Sequence, residues 1–320
     1  MRFLKWLVII PVGLVLCTAA GFILFVWLST PRGTSGGIKM SWPPHDSKNT
    51  VRLLVLGDTG TGGAGQYKVA AAMEVVCNLA KKQPFDGILL LGDNFYPAGV
   101  ASTDDPQWQD KFEKPYGTPC LSGLPVYPVL GNHDYRLSPQ AQIDYSAIHS
   151  RWRMPGRFYS VDFGPLVRLV ATDTVRFDWC GSSRDCVYDF MKSRLGTANG
   201  AWKIAMGHHP MASSSSHGRS YDGTYFKYTI RPQVCKQADF YFSGHSHHLE
   251  HLHFDGCDTD FIVAGTGGGD IGDLKEDRTG SKFAVTAFGF IAMELSAEKA
   301  ILNFYNENSQ PIYRLERTKK

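Results

Sequence analysis

The segment Gly87-Ile88-Leu89-Leu90-Leu91-Gly92-Asp93-Asn94 joins a short apolar run to a glycine, a carboxylate and a carboxamide. A continuous apolar run of this length is typical of a strand that is buried on both faces of a sheet. Glycine at the exit permits a tight turn that turns the next polar side chain away from the core. The segment therefore predicts an α/β sheet with a polar residue at the carboxyl end of a strand.

The same pattern occurs four more times along the chain. Val51–Leu56 precedes Gly57-Asp58, Val126–Leu130 precedes Gly131-Asn132-His133-Asp134, Trp202–Met206 precedes Gly207-His208-His209-Pro210, and Asp239–Phe242 precedes Ser243-Gly244-His245-Ser246-His247. A single Gly-Asp or His-Pro step is commonly just a turn, but turns alone do not explain five such strand ends. Because ligands bind beyond the carboxyl ends of strands in α/β sheets, the five ends predict one shared polar site.

The segments between and after these runs indicate the fold class. Ala64–Lys82 and Pro139–Arg153 are the clearest helical stretches. Six later segments are typical of antiparallel strands: Phe158–Val161, Leu166–Ala171, Phe261–Ala264, Ala284–Leu295, Ala300–Tyr305 and Ile312–Leu315. We therefore predict an α/β fold, a sandwich of two mixed β-sheets flanked by helices, that occupies residues 51–320.

The candidate residues supply carboxylates, a carboxamide oxygen, imidazoles and a phenol, and they include no thiolate cluster. Such a set suits hard or borderline cations such as iron, manganese or zinc. With one aspartate bridging, it can hold two metals about 3.5–4 Å apart. The chain contains neither a G-x-S-x-G elbow nor a P-loop, so acyl-transfer and P-loop nucleotide chemistry are not indicated.

The five blocks resemble those of the purple acid phosphatases, in particular the small, tartrate-resistant type within the calcineurin-like metallophosphoesterases. The most specific feature is Tyr96, because a tyrosine three residues after the bridging aspartate marks the purple branch. The resemblance runs from Val51 to Phe304 and implies the metallophosphoesterase sandwich. At position 209 the chain has a histidine where the mammalian-type enzymes usually have an aromatic residue, and we interpret it as a surface or outer-sphere histidine.

The resemblance also implies a role for each block. Asp58, Tyr96 and His247 would bind Fe(III), Asp93 would bridge to a second divalent metal (Fe, Zn or Mn), and Asn132, His208 and His245 would complete the second site. His133 and His217 would contact the substrate and protonate the leaving group, and Asp134 would orient His133. A metal-bound hydroxide would attack phosphorus without a phosphoenzyme, and the strong Lewis acid Fe(III) implies activity at acidic pH.

These roles imply an acid phosphatase that hydrolyses phosphate monoesters, with a phosphorylated small molecule or a phosphoprotein as substrate. The motifs leave two alternatives open: a phosphodiesterase or nucleotide-hydrolysing enzyme of the same fold, and a membrane-anchored scaffold that has the fold without the activity. The net charge of +3 and the lack of a basic cluster give no reason to expect a nucleic-acid partner.

The N-terminus carries an uncharged apolar run, Leu7–Leu28, which is long enough to span a bilayer core of about 30 Å. Arg2 and Lys5 precede it, which favours a cytosolic N-terminus and an extracytoplasmic catalytic domain. We therefore predict a membrane anchor at residues 1–28 and, from the Gly, Pro, Ser and Thr content, a linker at residues 29–50. A cleaved signal peptide that leaves a secreted protein is the alternative.

Six of the seven cysteines lie outside the apolar run, and an even number in an exported domain favours disulfides. Cys180 and Cys186 are close together in a polar loop, so we expect them to pair. The sequence leaves the connectivity of the other four open.

Overall fold

Strands make up most of the framework in the computed structural model, which describes residues 38–41, 49–80, 82–175, 186–197, 202–215, 228, 230–275 and 279–319. In chain order the strands are β1 (Ile38–Ser41), β2 (Thr50–Leu56), β3 (Gly87–Leu90), β4 (Val126–Pro128), β5 (Tyr159–Phe163), β6 (Val167–Ala171), β7 (Trp202–Met206), β8 (Phe240–Ser243), β9 (Leu249–Leu252), β10 (Asp260–Ala264), β11 (Ser281–Val285), β12 (Gly289–Ser296), β13 (Lys299–Asn306) and β14 (Pro311–Thr318). The helices are α1 (Ala64–Leu79), α2 (Pro139–Ile148), α3 (Cys186–Gly196) and the single turn α4 (Arg231–Val234), with a π-helical turn at Gln109–Glu113 and a 3-10 turn at Asp134–Arg136.

The strands form two mixed sheets, which confirms the predicted architecture. The six-stranded sheet has the order β14-β13-β12-β2-β3-β4, in which β2, β3 and β4 are parallel and β12, β13 and β14 form an antiparallel meander. The eight-stranded sheet has the order β1-β5-β6-β7-β8-β10-β9-β11, with β6, β7, β8 and β10 parallel. The apolar runs predicted as strands β2 and β3 are buried along both faces.

The parallel strands of both sheets end at one place, where the loops that follow them are joined by backbone hydrogen bonds. The Gly57 amide donates to the Ala264 carbonyl across 2.7 Å, which links the end of β2 in one sheet to the end of β10 in the other. The Asp58 amide donates to the Gly92 carbonyl across 2.9 Å, which links the exits of β2 and β3. The five polar loops therefore meet at one edge of the sandwich.

Two segments differ from the pattern that the sequence predicts. Ala284–Leu295, predicted as one strand, is divided between β11 and β12, which belong to different sheets. Ile38–Ser41, within the stretch predicted as a linker, pairs in parallel with β5 at the edge of the larger sheet. Pairing with a neighbouring strand supplies order there that the Gly- and Pro-rich composition does not indicate.

The structure contains the disulfides Cys77–Cys120 and Cys235–Cys257, so the expectation of disulfides is confirmed. The expected partner Cys180 lies outside the described residues, as do His217 and the predicted anchor Leu7–Leu28. Within the ranges that the structure does describe, none of the helices combines the length and apolar character needed to cross a bilayer.

Candidate metal centre

The backbone at three of the polar loops adopts an uncommon conformation. Asp58, Asp93 and His245 have φ angles of 56°, 50° and 64°, in the left-handed region that residues other than glycine rarely occupy. The loops hold one another in place, since the His245 amide donates to Asp58 Oδ2 across 2.8 Å. Strained backbone of this kind clusters at functional sites, where it directs side chains toward a common point.

The first group of side chains converges on the phenol of Tyr96. Its Oη lies 3.0 Å from Asp58 Oδ1, 3.0 Å from Asp93 Oδ2 and 3.1 Å from His247 Nε2. A single hydroxyl proton cannot satisfy two carboxylate oxygens at once, whereas a cation among these atoms would attract all of them. The residues therefore fit a hard, highly charged metal such as Fe(III).

The negative charges of Asp58 and Asp93 in this group also favour a bound cation. Burial, followed by the charges of Asp58 and Asp93, raises the pKa of the Tyr96 phenol far above its usual value. Burial alone would lower the pKa of His247, but its hydrogen bond to Asp58 and the nearby charge raise that pKa overall. Without a metal the phenol therefore stays protonated, and a bound cation is what would favour the phenolate.

The second group converges on the carboxamide oxygen of Asn132. Asn132 Oδ1 lies 3.0 Å from His208 Nε2 and 3.0 Å from His245 Nδ1, and these two nitrogens are 3.2 Å apart. Nδ1 of His208 is 2.9 Å from the Leu91 carbonyl, to which it donates, so Nε2 presents its lone pair to the site. A borderline divalent metal such as zinc or ferrous iron fits this set of nitrogen and oxygen atoms.

Asp93 lies between the two groups. Its Oδ2 is 3.0 Å from Tyr96 Oη on one side and 3.5 Å from His208 Nε2 on the other, and its Oδ1 accepts from the His133 amide across 2.8 Å. The structure thus brings together all seven residues that the sequence predicts as metal ligands. Asp93 has the position that a bridging carboxylate requires.

Two glycines give these carboxylates the space they occupy. A Cβ atom at Gly131 would lie 2.2 Å from Asp93 Oδ1, and one at Gly244 would lie 2.3 Å from Asp58 Oδ2. Any side chain at either position would displace a ligand oxygen. Gly131 and Gly244 are therefore required by the close approach of a ligand carboxylate.

The carboxylate of Asp134 contacts the backbone of two loops. Its carboxylate is fully buried and accepts from the backbone amides of Gly131, Asn94 and Phe95 across 2.8–3.2 Å. Burial, and then the nearby charge of Asp93, raises the pKa of Asp134 to about 7. The buried carboxylate thus accepts from the donors of two loops and clamps them together, and its expected role in orienting His133 stays a prediction.

The ring of His133 is instead held from the other side. Its Nδ1 is 2.7 Å from the Pro97 carbonyl, and its Nε2 faces a guanidinium nitrogen of Arg136 at 3.4 Å. The ring centroid lies 4.4 Å from that of Tyr96. His133 therefore lies at the rim of the metal centre, where a substrate would enter.

Sequence reasoning missed three residues at this site. Asn94 donates through Nδ2 to the Val129 carbonyl across 2.8 Å and so connects the loop that carries Asp93 to the residue that follows β4. Arg136 was not singled out, although a cation three residues after His133 was a usable signal. His209 was interpreted as a surface or outer-sphere residue, yet only 6% of it is exposed, and burial followed by the neighbouring His208 lowers its pKa to about 3.

Comparison with known families decides which kind of protein has this centre. A profile of the calcineurin-like phosphoesterases matches residues 51–249, which include every candidate metal ligand. The chain belongs to this family. The calcineurin-like phosphoesterase domain therefore accounts for the strands, the loops and the polar motifs described above.

Named relatives of this phosphoesterase include both plant and animal enzymes. Purple acid phosphatase 3 of Arabidopsis thaliana is 28% identical over 97% of this chain and 88% of its own length. Tartrate-resistant acid phosphatase type 5 of Sus scrofa is 29% identical over 68% of this chain and 69% of its own. The resemblance read from the sequence is thus confirmed.

Two solved structures share the fold of the phosphoesterase. GAP50, described as the anchor in the inner membrane complex of Plasmodium, superposes with a TM-score of 0.73 at 24% identity, over 85% of this chain and 90% of its own. The purple acid phosphatase PPD1 of yellow lupin superposes with a TM-score of 0.65 at 17% identity, over 86% and 54%. At these identities the likeness concerns the fold alone.

Proposed function

We propose that this protein is an acid phosphatase that hydrolyses phosphate monoesters at a dinuclear metal centre. The observation that carries the proposal is the position of Asp93, whose Oδ2 faces both the Tyr96 phenol and His208. This oxygen lies between one set of phenol and carboxylate groups and another set of imidazole and carboxamide groups. A pair of adjacent metals needs a carboxylate in such a bridging position.

The chain's own residues divide the work of the site. Asp58, Tyr96 and His247 would hold Fe(III), and Asn132, His208 and His245 would hold a divalent ion. When bound, the two ions would supply Lewis acidity toward the phosphoryl group and toward water. The Asp134 clamp and the glycine exits keep the carboxylates in place, so little reorganisation is needed when phosphate arrives.

The residues at the rim would bind the substrate and protonate its leaving group. Nε2 of His133 faces Arg136, so the rim offers an imidazole beside a fixed positive charge. An anionic phosphate ester would be attracted to this pair, and His133, when it also carries a proton on Nε2, would give that proton to the leaving alkoxide. His217 remains a second candidate for this role from the sequence alone.

The compartment forms part of the same proposal. The uncharged run Leu7–Leu28 would anchor the chain in a membrane, with the catalytic domain on the extracytoplasmic side. The disulfides Cys77–Cys120 and Cys235–Cys257 support an oxidising compartment for the catalytic domain.

The deciding experiment is a visible absorption spectrum of the purified full-length protein, with metal analysis of the same sample. We expect about two metals per chain and a purple or pink band that disappears in Tyr96→Phe, because the band arises from the ferric phenolate. Hydrolysis of p-nitrophenyl phosphate should be faster at acidic than at neutral pH.

Each contrary result points to a different correction. A colourless protein with two metals would remain a phosphoesterase without the ferric-phenolate site. Clear preference for the bis ester over p-nitrophenyl phosphate would make it a phosphodiesterase. A protein that takes up no metal, even after reconstitution, would overturn the enzyme proposal in favour of a scaffold.

A further inference from the structure

His209 places a third imidazole beside the two histidines of the second metal set. Its ring centroid lies 5.1 Å from that of His208 and 4.5 Å from that of His245, and the latter two centroids are 5.0 Å apart. The three rings are inclined to one another by 52–78°, so none of them stacks on another. The three rings thus form a nearly equilateral triangle that includes both histidines of the second metal set.

The nitrogen atoms are close enough to share one ion. One ring nitrogen from each of His208, His209 and His245 lies within 4.8 Å of the other two. Zinc binds imidazole nitrogen at about 2.0–2.1 Å, so two nitrogens on one zinc lie roughly 2.9–3.4 Å apart when the angle between them is between 90° and the tetrahedral angle. The distance between His208 Nε2 and His245 Nδ1, 3.2 Å, falls in this range.

The surroundings of His209 hold its backbone and ring in place. The His209 amide donates to Thr174 Oγ1 across 2.9 Å, and Tyr241 Oη donates to the His209 carbonyl across 2.9 Å. Nδ1 of the ring lies 3.2 Å from Thr174 Oγ1.

This support parallels that of His208, whose Nδ1 donates to the Leu91 carbonyl. Histidines that bind metals almost always donate their second ring N–H to an oxygen, and the threonine hydroxyl offers His209 that oxygen. With Nδ1–H of His209 taken as the donor to Thr174, the lone pair is left on Nε2.

We propose that His209 is a third imidazole ligand of the second metal, beside His208 and His245, and that it favours zinc over manganese there. The inference rests on the proposed dinuclear function and extends it to the identity of the second ion. Imidazole ligands suit zinc, whereas manganese prefers carboxylate, carbonyl and water oxygens. A third nitrogen therefore shifts the selectivity of the site.

The test uses the full-length protein with iron in the first site and zinc in the second. Zinc X-ray absorption counts the imidazoles around zinc, and we expect three in the wild type and two in His209→Phe. Phenylalanine fills the space with a ring but removes both nitrogens. Zinc affinity, measured by competition with a chromophoric chelator, should fall at least about tenfold in the variant, while the ferric-phenolate band persists.

His253→Gln is the matched control, because it removes a histidine that lies next to β9 and contacts Asp260 rather than the metal ligands. It should leave zinc affinity within about twofold of the wild type. His209→Gln serves as a second variant. The number of imidazoles around zinc in the wild type tests the inference without any variant.

Two imidazoles in a wild-type protein that binds both metals and hydrolyses phosphate would overturn the inference and leave the proposed function intact. Unchanged zinc affinity in both His209 variants would overturn it as well. A wild-type protein that binds no metal would instead refute the proposed function, and the inference with it.

Discussion

The molecule contains two clusters of histidines and carboxylates. One lies where β2, β3 and β4 of the six-stranded sheet and β7 and β8 of the eight-stranded sheet end, and the other lies along β9 and β10 of the eight-stranded sheet. The first is the candidate metal centre. In the second, Asp260 Oδ1 accepts from His251 Nε2 at 3.0 Å and from His253 Nδ1 at 2.9 Å. Arg317 on β14 lies 2.9 Å from Asp260 Oδ2, so this second cluster joins the two sheets.

The clusters differ in how their negative charge is balanced. Asp260 is paired with a permanently charged guanidinium, and its histidines complete its hydrogen bonds. Asp58 and Asp93 instead share the hydroxyl of Tyr96, which cannot serve both. Similar residue types thus form a structural junction where the protein supplies the cation, and a metal centre where an ion must supply it.

The largest expected effect that separates the two clusters comes from Asp93→Asn. Because Asp93 faces both metal sets, we expect metal content to fall from about two ions per chain to less than one. Phosphatase activity should fall about a thousandfold or more. Metal analysis and p-nitrophenyl phosphate assays on the same preparation check this, with Asp260→Asn as the control that keeps both metals.

Retention of two metals in Asp93→Asn would contradict the bridging position and remove the distinction between the clusters. Loss of metal in Asp260→Asn would also contradict the distinction between the clusters, because it would show that the structural junction affects the metal centre.

A smaller effect is expected from Asp134→Asn, which tests the clamp between the loops after β3 and β4. An amide group cannot accept from all three backbone donors, so the free energy of unfolding should fall by about 2 kcal/mol. Metal affinity should weaken at the same time, because the Asp93 loop loses its support. Chemical denaturation of the metal-loaded protein measures the first effect and chelator competition the second.

If Asp134 oriented His133 instead, Asp134→Asn would lower kcat without changing stability or metal affinity. That result would support the role that we expected from the sequence.

The sequence was sufficient for the parts of the fold that depend on local pattern. The apolar run with a glycine exit predicted the strands and the ligands at their ends, because burial of the strand and the tight turn are encoded within about ten residues. The amide contacts of Asp134, in contrast, reach 39–40 residues back along the chain to Asn94 and Phe95. A contact at such a distance depends on how two loops pack, which residue type alone does not indicate.

His209 shows the same limit within a single motif. Its neighbour His208 was predicted as a ligand, but the position of the next ring depends on contacts with Thr174 and Tyr241. Thr174 lies in the loop after β6 and Tyr241 lies within β8, 35 and 32 residues away from His209.

The smallest expected effect concerns the acid stability of the second cluster. Burial alone would raise the pKa of Asp260, but the hydrogen bond and charge of His251 and then Arg317 bring that pKa below its usual 3.8. A carboxyl group with a depressed folded pKa contributes stability that is fully present above its unfolded pKa and is lost as pH falls through the folded pKa. At pH 7, Asp260→Asn should therefore be less stable than the wild type by about 1 kcal/mol.

Urea denaturation between pH 7 and pH 3 checks this, and the difference between the two proteins should narrow below about pH 4. His253→Gln is the comparison within the cluster. Its side chain is 38% exposed, so its contact with Asp260 should contribute less than about 0.5 kcal/mol. A constant difference in the free energy of unfolding across this pH range would mean that Asp260 acts through packing and not through charge. The contrast between this cluster and the metal centre would then lie in geometry alone.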